Sequence, residues 1–381
     1  MSQNYDYIVI GSDLGSLAIA CALSQNTKSV ALIDGQDFAG SDCKAVNFPT
    51  GTISNGLHFT PDTELTKKAV SFLESLVEQP VLGPQREIPP MTFEQGQLKE
   101  FLGFGEKNPD FYEEIKFFTS TNRRELLVPS HQWAQLLIQK FQGDFLPRSY
   151  VTKFEVTNGK VTGVKINGAK VITGLNFIFC GPLKDLTRLL PQDALNQKTR
   201  TKLAKNDFWN ALYLDLCHGH QVTDSTAVHI LNGTTDDEIG PCAGMFQPAT
   251  AEGMQVSQWV TFVADDNYSD EPEEVIGQAL KKMKRQIKRA YPTALDGLKS
   301  ERLRWAPLIS GTAELKLSGQ QTLGDIENLW VASAAVHNQK FWVGSLLQAQ
   351  LVLAAMGFQT QEIENTQEES AETQESESVH P

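Results

Sequence analysis

Gly11, Ser12, Asp13, Gly15 and Ser16, followed by an acid at Asp34, stand at a spacing that can hold a dinucleotide. The phosphate end of such a site is a glycine turn between a strand and a helix. There, backbone N–H groups and the positive end of the helix dipole meet the anion. The sugar end is a carboxylate at the tip of the next strand, about 20 residues on, which accepts from ribose hydroxyls. Asp34 falls 23 residues after Gly11. Laid from Gly11, the G-x-G-x-x-G pattern asks for glycine at positions 13 and 16, and the chain supplies Asp13 and Ser16. Gly11 permits the tight turn, and Gly15 leaves some backbone freedom. Asp13 puts bulk and negative charge where backbone must approach a pyrophosphate. As an N-cap, its carboxylate can compete for the helix N–H groups that a phosphate would use.

The other reactive side chains form weaker patterns. Cys217, His218 and His220 have metal-ligating types. Neighbours along a strand alternate faces, so Cys217 and His218 would not point together, and no metal is expected. Cys21, Cys43, Cys180, Cys217 and Cys242 show no C-x-x-C spacing and read as reduced thiols. His337 reads as a satisfied loop histidine in preference to a general base. Trp305 reads as a core residue at least as readily as the wall of a substrate cavity. No Ser-His-Asp or catalytic-cysteine arrangement can be inferred.

The elements that must position these residues follow from apolar periodicity. Residues 7–10 and 29–33 are short strand-like runs, and 14–23 are small and apolar enough for a buried helix. Residues 36–56 read as a loop, 63–77 as an amphipathic helix, and 80–90, with four prolines, as irregular. Residues 110–119 carry no clear pattern, while 130–141 are helical with Ser130 as N-cap. Strands are expected at 151–156, 161–166 and 176–180, and 207–263 is mostly β. A helix over 273–291 has an apolar stripe and a polar side carrying Lys281, Lys282, Lys284, Arg285, Lys288 and Arg289. That side reads as solvated in preference to membrane-bound. A strand at 328–332 leads to an almost wholly apolar helix, 344–356, stopped by Gly357.

A chain of 381 residues with 40% apolar and 21% charged side chains has room for two or three globular domains. Neither a membrane span of about 18 apolar residues nor a signal-peptide layout is visible, so a cytoplasmic protein is expected. The net charge of −13 is uneven: residues 359–381 hold seven Glu and no Lys or Arg, which leaves −6 for the rest. That segment is expected to be a disordered acidic tail with an unknown partner. Nucleic-acid binding is not suggested.

Four separated segments resemble the flavin-dependent amine oxidase, phytoene desaturase and protoporphyrinogen oxidase superfamily. They are the N-terminal unit, the run LVPSHQWAQLLIQKF with the strands after it, RWAPLISG at 304–311, and NLWVASAAVHNQKFWVGSLLQAQLVLAAMG. The resemblance spans most of residues 1–357. It implies an α/β fold with a Rossmann-like FAD/NAD(P)-binding domain of residues 1–50, 128–190 and 325–358. A second, mixed β-sheet and helix substrate domain would take residues 51–127 and 191–324. The implied cofactor is FAD, held by the turn from Gly11 to Ser16 and by Asp34. Val151 would meet the adenine through its backbone. Ser333 and Ala334 stand where the family has a glycine and an acid on the ribityl chain. Lys44 is the nearby substitute for a missing arginine at the pyrophosphate, and His337 would lie near the flavin ring. The implied activity is oxidation of an amine or hydrophobic substrate, with the flavin as hydride acceptor and no integral membrane segment. The superfamily also includes the Rab GDP-dissociation inhibitor type, which keeps the fold and binds prenylated proteins without flavin. A flavin-free, non-catalytic relative is therefore the alternative.

Overall fold

The computed structural model describes residues 4–26, 29–40, 43–106, 108–205, 208–232, 241–265, 272–311, 321–324, 326–337 and 339–358. The expected acidic tail, 359–381, lies outside the described residues. The fold is α/β, built on two large sheets.

The first sheet is centred on Asn4–Ile10, which pairs in parallel with Val30–Ile33 on one side and Lys170–Phe179 on the other. Asp144–Leu146 extends the sheet beyond Val30–Ile33, again in parallel. The long strand Lys170–Phe179 has two partners along its other edge. Its first half pairs antiparallel with Lys160–Ile166, which pairs in turn with Val151–Thr157, and its last residues run parallel to Leu329–Val331. The central strands are apolar on both sides because both faces are covered. Val9, Leu32 and Ile178 face the helices Leu14–Asn26, Trp133–Lys140 and Phe341–Ala355. Ile8, Ile10, Ile33, Phe177 and Phe179 face the antiparallel strands and the turns after residue 182. Five parallel strands thus end at the same edge, and four of them bring Gly11, Asp34, Cys180 and the segment after Val331 together there. In open α/β sheets, that edge is where ligands bind.

The second sheet runs Leu298–Gly311, Phe208–His218, Gln255–Ala264, Cys242–Phe246, Val228–Leu231, Met91–Glu94, Gln97–Glu100. The helix Pro272–Ala290 covers one face through Ala279, Met283 and Ile287, packed on Leu212, Leu214 and Trp259. The other face carries Ala211, Tyr213, Val260 and Phe262 against Phe59, Phe111, Ile115 and Phe118.

Several local expectations are corrected. The proline-rich 80–90 includes the strand Leu82–Glu87, paired with Asn122–Leu126, and the register slips between Leu82 and Gln85, where Pro84 cannot donate. The loop 36–56 contains the hairpin Ala45–Phe48 and Gly51–Ser54, joined through Gly51 at φ +120°. The strand expected from residue 176 begins at Lys170. Ser130 does not cap its helix: residues 130–132 form a 3₁₀ turn, and its hydroxyl meets Ser54 Oγ at 2.7 Å. Lys282, placed on the solvated side by sequence, is buried. The closing helix starts at Phe341, before Gly344, and Gly357 follows it in the left-handed region at φ +86°.

Candidate functional site

Gly11 turns at φ +117°, and a Cβ there would lie 3.2 Å from Cys180 Cβ, so the glycine lets two strand ends meet. Its N–H donates to Ile33 O at 2.9 Å. Gly40 N–H donates to Ser12 O at 2.7 Å, which folds the loop after Asp34 back onto the turn. Asp34 is tied in at both oxygens. Ser12 Oγ donates to Oδ2 at 2.5 Å, and Gln36 N–H donates to Oδ1 at 2.5 Å.

Asp13 is the N-cap of the helix Leu14–Asn26. Its Oδ1 accepts from Ser16 N–H at 2.9 Å and also from the Ser16 hydroxyl. Its Oδ2 accepts from Ser345 Oγ, on the closing helix, at 2.5 Å. Gly15 N–H in turn donates to Ser345 Oγ at 2.9 Å. A carboxylate therefore stands at the helix N-terminus, and the N–H groups of Gly15 and Ser16 are both engaged. Burial, with the nearby Asp13 charge adding to it, pushes the Cys180 thiol well above its ordinary range. Burial keeps it a protonated, packed thiol.

Gly11, Ser12, Asp13, Gly15, Ser16 and Asp34 come together in one place. Lys44 lies close along the chain, with its ammonium 5.0 Å from the centre of the exposed Phe38 ring. Val151 opens its strand opposite Ile166, and the exposed Tyr150 before it lays its ring against Gly35, 2.5 Å from where a Cβ would stand. Ser333 caps the 3₁₀ turn Ala334–Val336, accepting from Ala335 N–H at 3.4 Å. His337 Nδ1 accepts from Gln339 N–H at 2.9 Å, and burial, aided by Lys340, pushes its pKa down to about 4. It is a neutral, satisfied loop histidine at neutral pH. Sequence reasoning missed Ser345 and Cys180 as members of this cluster, because they are distant from the turn in sequence. Only strand and helix packing brings them to the turn.

Residues outside this cluster have structural roles. Trp305 packs with the helix-covered core of the second sheet, opposite the face that carries Tyr213. The ring nitrogens of His218 lie 2.7 Å from Ala294 O and 2.8 Å from Ser257 Oγ, and burial lowers its pKa. Among the described residues, no group of three His, Cys, Asp or Glu side chains could hold a metal ion. Where the closing segment meets the second sheet, Lys340 Nζ lies 3.7 Å from the buried Glu114. Beside it the Phe341 ring packs 5.1 Å from Phe117, 5.2 Å from Phe118 and 6.0 Å from Phe262.

No family model and no curated protein sequence matches the chain. Solved structures match it by shape. An oxidoreductase from Methanosarcina mazei aligns with TM-score 0.65 at 14% identity, covering 91% of this chain and 99% of that one. Reduced UDP-galactopyranose mutase aligns with TM-score 0.67 at 9% identity, covering 93% and 94%. Wild-type putrescine oxidase bound to putrescine aligns with TM-score 0.60 at 10% identity, covering 93% and 99%. Identities this low speak to fold alone. The fold is that of the FAD-binding oxidoreductases.

That fold implies FAD, and its two ends fit differently here. The sugar end fits, since Asp34 offers a carboxylate at the tip of the second strand. The phosphate end does not. A diphosphate would face the Asp13 carboxylate at short range, with the N–H groups of Gly15 and Ser16 already used. Bringing like charges together in a partly desolvated site costs on the order of several kcal/mol.

Proposed function

We propose that this chain is a flavin-free, non-catalytic relative of the FAD-binding oxidoreductases that uses the fold to bind a ligand. The observation that carries this reading is the Asp13 carboxylate, seated on the first helix where the pyrophosphate would lie and held by Ser16 and Ser345. The ligand class that goes with it is a small hydrophobic molecule or an amine. A cytoplasmic location belongs to the same reading, supported by five cysteines that are all free thiols. Among the described residues, no helix is long and apolar enough to cross a membrane.

The test is flavin absorbance of the purified protein after gel filtration, followed by titration with added FAD. Little or no co-purifying flavin and weak binding are expected. Stoichiometric FAD in the wild-type protein would overturn the reading. It would support the second one, an FAD-dependent oxidoreductase acting on an amine or hydrophobic substrate. Asp34 at the ribose-acceptor position favours that alternative, as does the shape shared with putrescine oxidase. It requires Asp13 to leave the helix N-terminus.

A further inference from the structure

We propose that Ser345, on the closing helix, is a second determinant of FAD exclusion and acts jointly with Asp13. This rests on the flavin-free reading above. A helix start has N–H groups without intrahelical partners, and these are what a phosphate would use. In the helix Leu14–Asn26, intrahelical bonding opens with Leu17 N–H to Asp13 O at 3.0 Å. Of the earlier N–H groups, Ser16 donates to Asp13 Oδ1 and Gly15 donates to Ser345 Oγ.

The Ser345 hydroxyl therefore does two things. It accepts from Gly15 at 2.9 Å, which removes one donor from any incoming anion. It also donates to Asp13 Oδ2 at 2.5 Å, which holds the carboxylate over the helix and resists its rotation outward. The approach of the two helices reinforces this. A Cβ at Gly15 would stand 2.5 Å from Ser345 O, so the backbones touch at the first turn. Gly15 and Ser16 are both buried, so water does not readily compensate either donor. Removing Asp13 alone frees Ser16 but leaves Gly15 engaged. Removing the Ser345 hydroxyl alone leaves the carboxylate bound to Ser16. Only the double change clears both donors.

The experiment compares wild type, Asp13→Gly, Ser345→Ala and the double variant, with FAD as the probe in equilibrium dialysis. Circular dichroism and thermal midpoints verify folding. Asp13→Gly should tighten FAD binding by about tenfold or more, from one freed donor and one removed charge. Ser345→Ala alone should change it little. The double variant should exceed the product of the two single effects by about tenfold. A folded double variant no better than Asp13→Gly, or one that binds no FAD, overturns the proposal and leaves the flavin-free reading standing. Stoichiometric FAD in the wild type overturns that reading instead. Should the double variant not fold, amide hydrogen exchange on the single variants decides. Asp13→Gly should speed exchange at Ser16 and Ser345→Ala at Gly15, and unchanged Gly15 exchange in Ser345→Ala refutes the proposal.

Discussion

Replacing His337 by Asn should flatten the acid sensitivity of this protein's stability. His337 lies in the segment between the closing strand and the helix that carries Ser345, and its Nδ1 accepts from Gln339 N–H. Burial, with Lys340 nearby, pushes its pKa down to about 4, against about 6.5 in the unfolded chain. The folded value is the depressed one, so the folded state keeps the neutral ring. As pH falls below about 6.5 the unfolded chain takes up a proton that the folded protein refuses, and stability is lost progressively down to about pH 4. Between about pH 7 and about pH 5 that loss is about 2 kcal/mol for one such histidine. His229 is fully buried, and burial likewise pushes its pKa down to about 4, so it titrates in the same window. The wild type should therefore lose about 4 kcal/mol from the pair over that range. The Asn carbonyl can still accept from Gln339 without titrating, so His337→Asn should lose about 2 kcal/mol. Urea unfolding at the two pH values measures both losses. Equal acid losses in wild type and variant would refute the reasoning, because His337 would then titrate alike in both states.

Two further outcomes are expected. Gly15→Ala should lower stability by about 2 kcal/mol, since the added methyl meets the Ser345 backbone and must push the two helices apart; an unchanged thermal midpoint would mean the helices do not touch there. Deleting residues 359–381, with seven Glu and almost no apolar side chains, should leave the midpoint where it is; a clear fall would show that this segment docks on the rest of the chain.

Much of the first unit is legible in the residues because its interactions are local. Asp13 and Ser16 are three apart, the spacing of an N-cap and the N–H it satisfies, so the cap can be foreseen from residue types. The strands at Asn4–Ile10 and Val30–Ile33 carry β-rich apolar runs, and Gly357 stops the last helix through its own backbone freedom. Elements stabilised by partners elsewhere were harder to read. Leu82–Glu87 carries a proline and few apolar residues, and it is a strand because Asn122–Leu126 supplies the ladder. Lys282 looks like one of six solvated cations until the helix is rotated onto its sheet.

The strand–turn–helix–strand unit, the acid at its second strand tip and the carboxylate that caps its helix follow from residue order alone. Each depends on residues a few positions apart and on backbone preferences that travel with residue type. Tertiary structure alone decided what surrounds that carboxylate. Ser345 lies 332 residues from Asp13 and reaches it only because the last helix packs along the first through a glycine. It also decided that Trp305 faces the helix-covered core and Tyr213 the opposite side, since alternation along a strand fixes two faces but not which one is covered by what. Contacts of this kind leave no periodic trace in the chain, because their spacing is set by how whole elements pack.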